Sequence, residues 1–187
     1  MNTKKHHLNL SIIYKMLGCS KQNVSYWETH SYSTQSKKSI YKVIHNSIKL
    51  FNLSVRESEA LANSAGLTLH PQEGNLYEFL NTQYKGKLKK LYENALVSER
   101  MMRYYKTIVP TKQVLLAIAV SLNCNLQEIK KLLCTYGYCL SDSVAADIVV
   151  TWFVNNRLNI SGNELLKEIN IVLDDMGLPL LMTRQND

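Results

Sequence analysis

Two short stretches carry the side chains best suited to chemistry. The first is Ser20-Lys21-Gln22-Asn23-Val24-Ser25-Tyr26, with Lys37 and Lys38 a little downstream. The second is Ser98-Glu99-Arg100-Met101-Met102-Arg103-Tyr104. Gln and Asn pair bidentately with adenine in the major groove, and Lys or Arg with guanine. Ser and Tyr hydroxyls reach phosphate oxygens. The candidate contact set is therefore Ser20, Lys21, Gln22, Asn23, Ser25, Tyr26, Lys37, Lys38, Ser98, Arg100, Arg103 and Tyr104. Glu99 works against phosphate binding unless it accepts from cytosine. The first stretch is expected to read sequence, and the second mainly to support it. The competing reading of each is a helix kept for packing, with a solvated basic face.

Charge distribution favours a polyanionic partner. The net charge is +7. Residues 1–50 hold eight Lys and one acid, Glu28. A second basic cluster (Lys85, Lys87, Lys89, Lys90, Arg100, Arg103, Lys106, Lys112) surrounds the second stretch, whereas residues 141–187 are net acidic. Clustered Lys and Arg around a helix form the electrostatic footprint of a phosphate-binding surface.

Other chemistries find little support. There is no Gly-rich phosphate loop, nucleophile elbow or H-E-x-x-H pattern, so no enzyme, catalytic residue or cofactor is expected. Cys19, Cys124, Cys134 and Cys139 form no C-x-x-C pair and read as reduced, buried apolar residues rather than metal ligands. His6, His7, His30 and His45 lack a Cys or carboxylate at ligand spacing and read as surface residues. Asp174-Asp175 point to different faces of a helix and read as solvated. No apolar run spans a bilayer, and residues 1–11 lack a signal-peptide core. A cytoplasmic protein with no membrane partner is expected.

The elements that position these residues recur. Residues 13–29 and 91–107 match at an offset of 78, with Tyr14 on Tyr92, Ser20 on Ser98, Tyr26 on Tyr104 and Thr29 on Thr107. Further on, Phe51-Asn52, Leu61, Gly66 and Leu69 match Leu122-Asn123, Leu132, Gly137 and Leu140 at an offset of 71. An internal repeat decides architecture before any single residue does. Only 3 Pro and 7 Gly punctuate the 187 residues, and no strand alternation is persuasive, so the fold expected is all-α.

Helical spacing and caps divide the chain. Ile12, Ile13, Met16 and Leu17 form a first helix that Gly18 ends, and Ser20 caps the next, with Val24 and Trp27 inward. Residues 31–38 read as a loop, and a helix follows over 39–51. Ser54-Val-Arg-Glu57 is a capping box, and Asn125-Leu-Gln-Glu128 repeats its logic. After a linker over 70–74, helices are expected over 75–84, 87–96, 98–106, 112–122 and 125–136, with Tyr105 inward. Two more carry Ile148, Val149, Trp152 and Phe153, and, from the box at Ser161–Glu164, Leu165 to Leu173. The units drawn are 1–70, 71–140 and a C-terminal helical extension, 141–187.

The run Leu17-Gly18-Cys19-Ser20 to Glu28 resembles the helix-turn-helix of Cro/CI-type (XRE-like) transcriptional regulators. The shared pattern is a short helix, a turn Gly, a Ser cap and two inward apolar residues three apart. Leu53-Ser54, Ala60-Leu61-Ala62 and Gly66-Leu67 look like that family's closing helix. The second copy departs by placing Leu96 where a turn Gly would sit, and the first has only ten residues before Ser11 for an opening helix, so it is expected to lean on the second for its core. The resemblance covers residues 10–140. Asp147-Ile148-Val149-Val150 and Gly177-Leu178-Pro179-Leu180-Leu181 look like tails of small phage and mobile-element regulators. It implies two tandem lambda-repressor-like units, double-stranded DNA as partner, a repressor function, and a homodimer or protein contact through 141–187. The alternative is a non-enzymatic interaction protein, an antitoxin or adaptor whose turn motifs serve packing. Structured RNA is a third reading, since basic charge and 11 Tyr would serve stacking.

Overall fold

The computed structural model describes residues 10–20, 22–23, 37–71, 76–83, 99–105, 109–156 and 160–181. Among these the regular elements are all helices: α1 (Leu10–Leu17), α2 (Lys37–Phe51), α3 (Val55–Ser64), α4 (Leu76–Gln83), α5 (Glu99–Tyr104), α6 (Lys112–Ser121), α7 (Leu126–Thr135), α8 (Ala145–Asn155) and α9 (Gly162–Asp175). Among the described residues no helix is long and apolar enough to cross a membrane.

The repeat is realised in detail by α2–α3 and α6–α7. Position by position at an offset of 71, Val55–Ser64 becomes Leu126–Thr135. Asn52 and Asn123 end the leading helices at φ 48 and 57. The left-handed region tolerates Asn because its short polar side chain bonds locally. Ser54 and Asn125 then close full capping boxes with Glu57 and Glu128. Each box satisfies two amides that the helix start would leave open, and each cap contributes about 1 kcal/mol.

Gly66 and Gly137 stop the second helices at φ +69 and +68. Their amides donate to Asn63 O and Cys134 O, and the following residues, Leu67 and Tyr138, donate to Ala62 O and Leu133 O. A side chain at either glycine would be strained by that φ. Leu67 and Tyr138, themselves 71 apart, then form an isolated antiparallel bridge. It is reciprocal: Cys139 N donates to Gly66 O at 2.9 Å, and Thr68 N to Gly137 O at 3.2 Å.

The two units differ in support. One large apolar core runs from Leu76 through α6, α7 and α8 to Leu181. Residues Val114 to Ser121 of α6 are all buried, so this helix is apolar on nearly every face, as a central helix must be. The start of α9 touches its end so closely that a methyl group at Gly162 would lie 2.3 Å from Ser121 O. That core crosses the boundary drawn near residue 140, and the tail packs as part of the second unit's interior. Among the described residues the first unit has a small core of Ile40, Ile44, Ala62 and Leu67, on which Tyr138 of the second unit packs.

The start of α2 differs from expectation. Helix α2 starts at Lys37, two residues early, so Lys37 and Lys38 form its first turn rather than the end of a loop. Its counterpart α6 cannot extend back in this way, because Pro110 biases Val109 away from helix. The expected helix over 87–96 and the residues Val24 and Trp27 lie outside the described residues. In α8, Val150 and Val154 turn inward, while Ile148 and Trp152 are exposed, Trp152 at 60 %. The helix is apolar on several faces, so spacing does not choose among them; Asp147 does, by accepting from Ser141 N at 2.9 Å.

Candidate nucleic-acid interface

Helix α1 ends in the turn read from Gly18, whose φ is +73. Gly18 N donates to Lys15 O and Cys19 N to Tyr14 O, which satisfies the carbonyls at the helix end. Ser20 then accepts from Asn23 N at 3.1 Å, so it caps the next helical segment as its residue type suggests. Gln22 and Asn23 are helical and exposed. Asn46 of α2 donates to Leu17 O at 3.0 Å and ties the turn to its support. The side chain of Lys42 passes close to Gly18, at 3.1 Å from where a methyl would stand. The result is a short helix, a tight turn and a capped helix start that offers two amide side chains to solvent beside the basic helix α2.

Lys37 and Lys38 divide in role. Lys38 is exposed. The ammonium of Lys37 turns inward, donates to Tyr136 O, and sits 4.7 Å above the Tyr138 ring. Burial pushes its pKa below the usual lysine value. The inward geometry makes Lys37 a stitch between the two units.

In the second unit, Arg100, Arg103 and Tyr104 of α5 are exposed. Tyr104 meets Tyr105 edge-on at 5.8 Å, and Tyr105 is buried in the large core as its spacing predicts. Lys112, counted with the second basic cluster, is withdrawn from the surface by an ion pair with Asp147 at 2.5 Å. The structure therefore corrects the charge map: that lysine's charge is neutralised internally. Lys21, Ser25, Tyr26, Ser98 and the lysines at 85, 87, 89, 90 and 106 lie outside the described residues.

Further exposed basic side chains lie on the same scaffold. Lys42, His45 and Lys49 follow the outer face of α2, and Lys130 and Lys131 of α7 line a shallow groove with Asn63 and Gln127. The helical period of α2 was the available signal for its outer face. The groove between units had none, because its walls lie far apart in sequence.

Among the described residues no group of three His, Cys, Asp or Glu is placed to hold a metal ion. Cys124 is buried, and the other three thiols are half-buried and free. Burial pushes the Cys139 thiol above its usual range, which suits a packing residue more than a nucleophile.

No protein-family model, curated protein or solved structure matches this chain. What the fold defines is an all-α protein with an internally repeated helix pair.

Proposed function

We propose that this chain is a sequence-specific DNA-binding transcriptional regulator, a repressor of phage or mobile-element type acting in the cytoplasm. The observation that carries the reading is the Ser20 cap on Asn23 N, which sets Gln22 and Asn23 at an exposed helix start behind a left-handed turn. Side chains at the start of such a helix reach base edges when it enters the major groove. Amide side chains in that position favour adenine. Lys15, Lys38 and Lys42 are exposed on the helices either side and supply phosphate contacts, which position the protein without reading sequence. On the second unit the exposed Arg100, Arg103 and Tyr104 reach phosphate or base edges.

The test is a competition shift assay with Lys21→Ala/Gln22→Ala. The double variant is expected to keep its fold and lose preference for the selected site over random duplex. Survival of that preference would remove the first stretch as the reader. Affinity for any duplex should also fall steeply as salt rises, because phosphate contacts release counterions.

A second reading, a non-enzymatic antitoxin or adaptor, has one observation in its favour. The inner face of α9 is used up in the core, yet Ile148, Trp152, Ile171 and Met176 remain exposed in the tail. A protein partner or a second copy would meet these side chains. A chain that shifts no duplex at low salt would favour this reading.

A further inference from the structure

The two helix pairs are related by a local two-fold axis, and we propose that this axis makes a single chain an internal dimer that reads one inverted-repeat duplex with two unlike half-sites. The proposal rests on the DNA-binding reading above. Three layers of contact define the axis. Leu67 bridges its own equivalent, Tyr138, antiparallel. The flanking hydrogen bonds exchange under the axis, Cys139 N to Gly66 O in one direction and Thr68 N to Gly137 O in the other. Further out, Tyr41 and Lys112 are equivalent at the same offset of 71, and each reaches over the other unit's glycine. A methyl at Gly137 would lie 3.0 Å from Tyr41 Oη, and one at Gly66 would lie 2.6 Å from Lys112 Nζ.

An antiparallel bridge between equivalent residues has a two-fold at its centre. The axis exchanges α2 with α6 and α3 with α7, and the segments that precede these pairs in sequence, the Ser20-capped one and α5, carry the readers of the two units. Protein two-fold symmetry is mirrored in the pseudo-palindromy of the site it reads. Here the bridging edge is already occupied within the chain, so no second copy is needed to build the dyad. The half-sites differ because the readers differ. Gln22 and Asn23 suit adenine, while Arg100 and Arg103 suit guanine.

The experiment is selection of duplexes from a randomised library by the full chain, with the mass of the purified complex then measured. The expected result is one chain on one duplex, with two half-sites in inverted orientation. Gln22→Ala should weaken discrimination at one half-site and Arg100→Ala at the other, each by roughly ten-fold. Both residues are exposed, and unchanged thermal unfolding would show that each variant still folds. A direct repeat, a lone half-site, two chains per inverted repeat, or both variants acting on the same half-site would overturn the internal dimer and leave DNA binding standing. Recovery of no duplex would overturn the DNA-binding reading, and this inference with it.

Discussion

Lys112 and Asp147 form an ion pair 2.5 Å long beneath Gly66, where the two units and the tail meet. Asp147 is 2 % exposed and the Lys112 side chain 13 %. Ser141 N gives the carboxylate a second donor at 2.9 Å. One side chain thus sets the rotation of α8, receives the first residue of α6, and holds the segment that follows the inter-unit bridge. Removing one partner of such a pair leaves an uncompensated buried charge, whereas replacing both by apolar groups is often neutral. Lys112→Met, which leaves the Asp147 carboxylate buried without its cation, is therefore expected to cost about 3–5 kcal/mol, and Lys112→Met/Asp147→Leu to recover most of it. Urea unfolding of the two single variants and the double variant measures the coupling. Additive losses would mean that the pair does not act as a unit.

The same carboxyl makes stability depend on pH in a defined direction. Burial pushes the Asp147 pKa above its ordinary 3.8, and Lys112 and the Ser141 amide pull it only part of the way back. A native state that holds its proton more tightly than the unfolded chain loses stability as pH rises through that interval. The contribution of Asp147 is thus fully present below 3.8 and declines as pH rises through the raised native pKa. Glu57 and Glu164 act in the opposite sense: their caps hold their pKa below 4.5, and that benefit is lost as pH falls. The difference in unfolding free energy between the wild type and Asp147→Asn isolates the first effect. A difference that grows in the wild type's favour as pH rises would contradict it.

Gly162 and Gly137 exclude a side chain for different reasons. At Gly162 a methyl would meet backbone, Ser121 O at 2.3 Å and Val120 O at 2.5 Å, and backbone cannot yield without parting α9 from α6. At Gly137 the nearest atom is Lys37 Nζ at 2.7 Å, the far end of a flexible side chain, and the main obstacle is φ +68. Gly162→Ala is expected to cost about 3 kcal/mol, as overpacking does, and Gly137→Ala about 1–2 kcal/mol, as left-handed strain does. Chemical denaturation ranks the two, and a larger loss at Gly137 would refute the assignment.

The caps at Ser54 and Asn125 are equivalent in chemistry but not in what they support. Ser54→Ala and Asn125→Ala should each remove about 1 kcal/mol locally. The first acts on a unit whose core, among the described residues, is Ile40, Ile44, Ala62 and Leu67, the second on the large core. Hydrogen exchange should therefore show α2 and α3 opening well below the global unfolding free energy, while α6 and α9 open only with it. Uniform protection across both units would show that the bridge and Tyr138 already unite the two cores.

Local order was legible because it is set by near neighbours. The three capping boxes were visible as a Ser or Asn three residues ahead of a Glu, and all three close. Gly18 and Gly66 ended helices where a left-handed residue was needed. Among the candidate site residues, the Ser20 cap and the exposure of Gln22, Asn23, Arg100 and Arg103 follow from helical spacing, and they stand so. The fates of Lys37 and Lys112 were not legible. Each ammonium finds its partner far along the chain, Lys37 on Tyr136 O and Lys112 on Asp147, and spacing carries no information about such pairs.

Taken alone, the order of residues determined an all-α chain, a twice-used helix pair and the caps that bound it. These depend on backbone propensity and on hydrogen bonds within one turn of helix. Tertiary structure decided that the repeats face each other across Leu67 and Tyr138, that the tail completes the second unit's core, and that two of the lysines point inward. The physical reason is that burial and ion pairing are settled by which surfaces meet. Two equivalent edges can satisfy each other's amides only once the chain has brought residues 66–68 and 137–139 together.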